Sequence, residues 1–212
     1  MSQRAYPEQL ALAQRHLSRA DPLMRRLIRA HGACGLEPAW ARSPYDALIE
    51  AVIYQQLNGN VAGKIFRRFV ELFPGAPFPP PAQVLAASDG AMRSAGLSRQ
   101  KIAYIRDIAA HTGSGVVPLK RASIARSKDE AIIERITQVK GIGRWTVEML
   151  LIFTLGRLDV LPVDDYGVRK GYTRAAGADE PVTPRELRER GEFWAPYRSV
   201  ASWYLWRAAE AD

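Results

Sequence analysis

Thr137-Gln-Val-Lys-Gly-Ile-Gly-Arg-Trp-Thr146 stands between two apolar-periodic runs. The first is Ala131, Ile132, Ile133 and Ile136; the second is Trp145, Val147, Met149, Leu150, Ile152 and Phe153. Their spacing predicts two helices, and the short glycine-containing connection predicts a helical hairpin. Gly141 and Gly143 have no Cβ, so the backbone there can bend sharply or approach a ligand closely. The N–H groups that open the second helix make a natural anion site. Lys140 and Arg144 flank it with positive charge, and Thr146 adds a hydroxyl. Such a set grips a phosphate backbone without touching a base. A Gly-x-Gly turn alone is equally compatible with an ordinary αα-hairpin.

Downstream, the second run ends near Leu155-Gly156. A charged loop follows, then Val160-Leu161, then Pro162-Val-Asp-Asp-Tyr-Gly-Val-Arg-Lys170. Two adjacent acids after a proline suit the cap and first turn of the next helix. One of them can cap while the other points elsewhere.

Val139-Lys-Gly-Ile-Gly-Arg-Trp-Thr-Val-Glu-Met149 followed by Asp159-Val-Leu-Pro-Val-Asp-Asp-Tyr166 resembles the helix-hairpin-helix, Gly/Pro-rich loop and aspartate signature of the HhH-GPD DNA glycosylase superfamily. Within it, the match is to the 3-methyladenine DNA glycosylase II (AlkA-like) branch. Ala51-Val-Ile-Tyr-Gln-Gln-Leu57 resembles the family segment that pushes into DNA, and Ala95-Gly-Leu-Ser-Arg-Gln-Lys-Ile-Ala-Tyr-Ile105 resembles a second family segment. The matches span roughly residues 45 to 207. The hairpin alone occurs in many DNA-binding proteins; the hairpin with the spaced aspartate is far more specific.

That resemblance implies an enzyme that flips a damaged base out of the duplex and hydrolyses its bond to the sugar. The catalytic carboxylate it implies is Asp165, with Asp164 as a cap or structural partner. A carboxylate ~4 Å from an oxocarbenium-like sugar, at an effective dielectric near ~20, stabilises it by about 4 kcal/mol, roughly 10³ in rate. It can also orient or deprotonate the attacking water. Bifunctional relatives carry a Schiff-base lysine after the Gly-x-Gly-x turn. Here that position is Trp145, whose indole cannot attack a sugar carbon, so a monofunctional enzyme is expected. Gln55, Gln56 and Leu57 occupy the wedge position, Gln56 or Leu57 being the residue that fills the gap. Trp145, Met149 and Trp206 line the base pocket by resemblance, with Tyr54 as a further candidate. A cationic alkylpurine such as 3-methyladenine or 7-methylguanine stacks well on such rings. Related members often carry tyrosine where this chain has Met149, a softer wall that bears on substrate range.

The resemblance also implies that the hairpin can hold a structural Na⁺ or K⁺ on the backbone carbonyls of Thr137, Val139 and Ile142, with no cofactor required. His16, His31 and His111 show no ligand spacing, so no catalytic metal is expected. The single cysteine, Cys34, excludes an intrachain disulfide and the family branch that uses four cysteines for an iron–sulfur cluster.

The chain has 212 residues, a formal net charge of +8 and a pI near 9.9, a balance that suits a nucleic-acid partner without requiring one. No apolar run approaches the ~18 residues of a membrane span. Met-Ser-Gln-Arg-Ala-Tyr-Pro7 has no apolar core, so no secretory signal is expected. The expectation is a cytoplasmic, nucleoid-associated monomer whose partner is double-stranded DNA with a damaged base.

Along the chain, helices are predicted over 7–33, from Ser43-Pro44 to Ile53, and over Val61 to Phe73, Ala82 to Gly96 and Ser98 to Thr112. Others are predicted over Tyr166 to Ala176 and Tyr197 to Ala209, the last with Trp203 assigned to the core. Gly75 to Pro81 holds four prolines in seven residues and reads as a stiff connection. Thr183-Pro-Arg-Glu186 reads as a capping box. No alternating run is long enough for a strand, so the fold class is all-α. One glycosylase domain over 1–212 is expected, in two helical lobes. One lobe covers about 46–160, with the hairpin at 131–155; the other combines about 1–45 with 161–212, and Asp165 falls at the cleft. Longer members of the branch carry an N-terminal β-rich domain; this chain is expected to lack it and to have a wider active site.

Two other functions remain open on sequence grounds. One is a non-catalytic helix-hairpin-helix DNA-binding module. The other is a glycosylase for a different lesion, such as ethenoadenine, hypoxanthine, uracil or a mispaired adenine.

Overall fold

The structure is a computed structural model and describes residues 3–210. Met1, Ser2, Ala211 and Asp212 lie outside the described residues, and with them part of the stretch read above for a secretory signal. Among the described residues every regular element is helical. The chain forms two compact units, one of residues 41–150 and one of residues 1–40 with 151–212.

Helices α1 (Tyr6–Ala20) and α2 (Pro22–His31) open the second of these units. Leu10, Ala13 and Leu17 recur at three- and four-residue spacing and bury one stripe of α1. Asp21 separates the helices: its Oδ1 accepts the Leu23 N–H at 2.7 Å and starts α2, while Pro22 occupies a first-turn position that needs no donor.

The unit of residues 41–150 begins with α3 (Pro44–Tyr54), where Ser43 and Asp46 form a reciprocal capping box. Leu48, Ile49, Val52 and Ile53 of α3 are fully buried, each contributing about 1.5–3 kcal/mol by leaving water. Helix α4 (Gly59–Glu71) starts after Asn58, whose side chain accepts the Val61 N–H at 2.9 Å. The single helical stretch predicted over Ala82 to Gly96 is two short helices, α5 (Pro81–Ala86) and α6 (Asp89–Ser94). Ala87 turns extended, and the Ser88 hydroxyl then accepts the Ala91 N–H at 3.2 Å and caps a new helix. A cap in mid-pattern outweighs continuous apolar spacing. Helix α7 (Arg99–Gly113), capped by Ser98, packs against α3 and α5. Helices α8 (Asp129–Ile136) and α9 (Arg144–Phe153) form the hairpin, residues 151–153 of α9 falling in the other unit.

That other unit continues with α10 (Tyr166–Ala176), α11 (Pro184–Gly191) and α12 (Arg198–Glu210). The capping box predicted at Thr183 and Glu186 starts α11. Helices α10 and α12 pack together so closely that a Cβ at Gly171 would overlap the Leu205 carbonyl. Trp203 of α12 is half-buried rather than core: it lies beside Gly35, edge-on to Tyr204, with the Arg207 guanidinium 5.6 Å from its ring centre. No helix of the described residues is long and apolar enough to cross a membrane.

Candidate active site

Asp165 is the N-cap of α10, and only 8 % of it is exposed. Its Oδ1 accepts the Val168 backbone N–H at 2.8 Å and the Trp206 indole Nε1–H at 2.9 Å. Of the two roles open to Asp164, cap or structural partner, the first falls to Asp165 itself; Asp164 is exposed. The physical reason is register: with Tyr166 as the first helical residue, only the preceding side chain can reach the N–H two residues inside. The cap and the indole both present N–H groups, which suits a side chain that, ionised, only accepts. Asp165 is thereby held in one orientation at the positive end of a helix.

Trp206 is held from its other side. Its ring lies 5.4 Å from that of Phe153, tilted by 33°. Gly167, two residues beyond Asp165, makes room for the pair: a Cβ there would stand 2.9 Å from Trp206 Cδ1 and 3.2 Å from Asp165 Oδ1. Neither Phe153 nor Gly167 was singled out from the sequence. Phe153 had a readable signal, since Trp145, Met149 and Phe153 recur every four residues on one face of α9.

In the unit of residues 41–150, Trp145 stands in the first turn of α9, 45 % exposed, with Met149 half-buried one turn on. Tyr54 meets Phe66 edge-on, with ring centres 6.5 Å apart. It closes α3, and the wedge segment follows it. Gln56 has φ +57°, the one non-glycine residue with positive φ among those described, and both it and Leu57 are exposed. Such a conformation is uncommon for a residue other than glycine and marks a tight turn directly after α3. Gln55 points inward instead: its Nε2 donates to the Gly141 carbonyl of the hairpin at 3.0 Å. Helix α4, next along the chain, carries Lys64, Arg67, Arg68 and Glu71 around a shallow cavity of about 380 Å³.

The hairpin turn contains two groups that the sequence placed differently. Thr146 is 5 % exposed, so its hydroxyl is not a surface group. Arg144 is committed within the protein: Nη1 and Nη2 meet the Glu130 carboxylate at 2.7 and 2.8 Å, and Nε meets Glu148 at 3.1 Å. The hydrogen bonds from Arg144 hold the Glu130 carboxyl below its ordinary range, and the pairing raises the guanidinium in turn. A phosphate has to compete with two carboxylates for this residue. Gly141 adopts φ +80° directly beneath Tyr104, where any Cβ would overlap the ring. Lys140 is exposed and Gly143 is open, with nothing within 4 Å of an added Cβ. Thr137, Val139 and Ile142 lie in the turn between α8 and α9; the Val139 carbonyl accepts the Ile142 N–H at 3.1 Å and keeps a second lone pair. Carbonyls outside a helix ladder are suitable donors to a hard monovalent cation.

Among the described residues no group of three or more His, Cys, Asp or Glu is placed to hold a metal ion. Cys34 is buried, with its thiol pushed up to about 11 by burial, which makes it a poor nucleophile.

Residues 49–196 match the family described as HhH-GPD superfamily base excision DNA repair protein. The chain is 40 % identical over 202 residues to the DNA-3-methyladenine glycosylase 1 of Schizosaccharomyces pombe, covering 95 % of this chain and 88 % of that one. Its fold is similar to that of the S. pombe 3-methyladenine DNA glycosylase Mag1 in complex with abasic DNA. The TM-score is 0.84 at 40 % identity, with 92 % of this chain and 95 % of that one covered. A DNA-3-methyladenine glycosidase structure from Bacillus halodurans is similar too, with TM-score 0.84 at 35 % identity, covering 94 % and 89 %.

Proposed function

The chain belongs to the HhH-GPD superfamily of base excision DNA repair proteins, and on that footing we propose that it is a monofunctional DNA glycosylase that removes alkylated purines from duplex DNA. The observation that carries the proposal is the Asp165 carboxylate, fixed by a helix cap and an indole N–H. In this mechanism the lesion is flipped out of the duplex. The bond between C1′ and the purine breaks, and the electron pair leaves with the base. A cationic 3-methyladenine or 7-methylguanine departs neutral, so no strong general acid is needed. Asp165 stabilises the oxocarbenium ion, and water adds to C1′ as Asp165 accepts its proton. Trp206 and Phe153 offer paired rings for a cationic purine, and Trp145, Met149 and Tyr54 are the further base-contacting residues of this reading.

On the DNA side, Gln56 and Leu57 are the wedge. The backbone at Gly141 and Gly143, together with Lys140, holds phosphates. A structural Na⁺ or K⁺ on the carbonyls of Thr137, Val139 and Ile142 is part of the same reading; such an ion lends its positive charge to the hairpin. The protein would act as a monomer on nucleoid DNA. Trp145 in place of a Schiff-base lysine supports hydrolysis without strand cleavage. Incubation with methylated duplex and identification of the released bases tests this. Free 3-methyladenine or 7-methylguanine is expected, with an intact strand that breaks only on alkali treatment. Duplex binding indifferent to lesions, with no base released, would refute it.

A further inference from the structure

Helix α7 carries three side chains at three-residue spacing, and each one reaches a loop that the proposed function places against DNA. Lys101 Nζ donates to the carbonyls of Ile53 at 2.6 Å and Gln55 at 2.9 Å, at the end of α3 where the wedge begins. Tyr104 lies against Gly141 of the hairpin turn, its hydroxyl accepting from Gln100 Nε2 at 2.7 Å. Asp107 Oδ2 accepts the Lys140 backbone N–H at 2.7 Å. Gln55 closes the circuit by donating to the Gly141 carbonyl. The last carbonyls of a helix have no partner within it, and here a lysine ammonium supplies one. Its part-buried position draws Lys101 below the ordinary lysine range through desolvation, yet its two carbonyl acceptors match a charged donor.

We propose that Lys101 is a positioning residue that sets the height of the wedge relative to the hairpin. It does so by tying the carbonyls of Ile53 and Gln55 to the helix that also supports Gly141 and Lys140. The proposal rests on the glycosylase reading and assigns a role to the Ala95–Ile105 segment. Gln56 and Leu57 follow the braced residue directly, and Gln56 is already in a strained conformation that depends on its neighbours. Without the brace the wedge is free to fall back when a stacked, paired lesion resists extrusion. A lesion that has no partner needs no such push.

Lys101→Met keeps the aliphatic stem and removes the donors. Single-turnover base release at saturating enzyme is compared for two duplexes carrying one 7-methylguanine, opposite cytosine or opposite an abasic analogue. Release from the paired lesion is expected to fall by roughly tenfold or more, the scale of losing hydrogen bonds to a charged group. Release from the unpaired lesion stays near wild type. Equal slowing on both substrates, or none on either, overturns the proposal. If Lys101→Met does not fold, Lys101→Gln, too short to reach both carbonyls, is read the same way. Amide exchange at Gln55–Leu57 keeps the two readings apart. Should the wild type release no base, the glycosylase reading fails, and exchange there unchanged in the variant overturns the brace as well.

Discussion

Asp165 and Trp206, 41 residues apart, meet through a 2.9 Å hydrogen bond to the same oxygen that caps α10. The same chain repeats the motif at Asp21. There Oδ1 caps α2 through the Leu23 N–H, and Oδ2 accepts the Trp194 indole at 2.8 Å. Two aspartates thus share cap and indole; at Asp165 both N–H groups reach the same oxygen, at Asp21 one reaches each. That pairing separates a structural role from a chemical one.

Asn caps helices as well as Asp and still presents an oxygen to the indole. Asp165→Asn should therefore fold with little change in Tm while base release from methylated duplex drops by roughly 10³, the electrostatic contribution of one nearby carboxylate. Asp21→Asn should leave release intact. The two are compared in single-turnover assays; near-wild-type release by Asp165→Asn removes Asp165 from the mechanism.

Trp206→Phe keeps a ring against Phe153 and deletes the donor to Asp165. A hydrogen bond to a charged group contributes about 1.5–3 kcal/mol, so the chemical step should slow by about tenfold or more. If the ring alone matters, through stacking on the base, the rate stays and only KM rises. Measuring kcat and KM separately distinguishes the two.

How much of this was legible in the sequence follows from range. The hairpin, the caps at Ser43 and Thr183 and the break after Tyr54 were readable because each is decided within four or five residues. Ser88 shows the limit: a cap inside an apolar pattern looks like one more helical residue until its hydroxyl is seen on the Ala91 N–H. The Asp165–Trp206 bond and the Lys101 grip on Ile53, 48 residues away, were not readable, because no local pattern encodes a side chain's distant partner. Which of Asp164 and Asp165 caps α10 turns on a single residue of register, the scale on which helix termini are least legible.

Gly167 and Gly171 sit one turn apart on α10 and should fail differently. In Gly167→Ala the new methyl presses on Trp206 Cδ1, 2.9 Å away, and on Asp165 Oδ1, 3.2 Å away. Higher helix propensity offsets part of the overpacking, so stability should change by no more than about 1 kcal/mol while base release falls. In Gly171→Ala the methyl meets the backbone carbonyl of Leu205, which cannot rotate aside. That should destabilise by about 3 kcal/mol. Denaturant midpoints and single-turnover rates on the same preparations show whether activity and stability separate; parallel losses in both variants would contradict the positioning role of Gly167.

Arg144 gives the last prediction, through its partner. Glu130 holds both terminal nitrogens of the guanidinium, while Glu148 retains Nε from the next turn of the same helix. Glu130→Ala therefore leaves Arg144 anchored but with its outer face available to a phosphate, and affinity for undamaged duplex should rise, with the salt slope steeper by about 1. The same pair sets a pH dependence. The Glu130 carboxyl lies lower in the folded protein than its ordinary 4.5, so its contribution to stability is present above that pH and is lost as pH falls below it. Glu130 is largely exposed, and salt screens the pair, so the effect is small. Wild type should lose slightly more stability than Glu130→Ala on acidification below about pH 4.5 at low salt, and the difference should vanish at high salt. Unchanged DNA affinity and salt slope in Glu130→Ala would mean that Arg144 faces no phosphate, leaving Lys140 and the turn amides to hold the backbone alone.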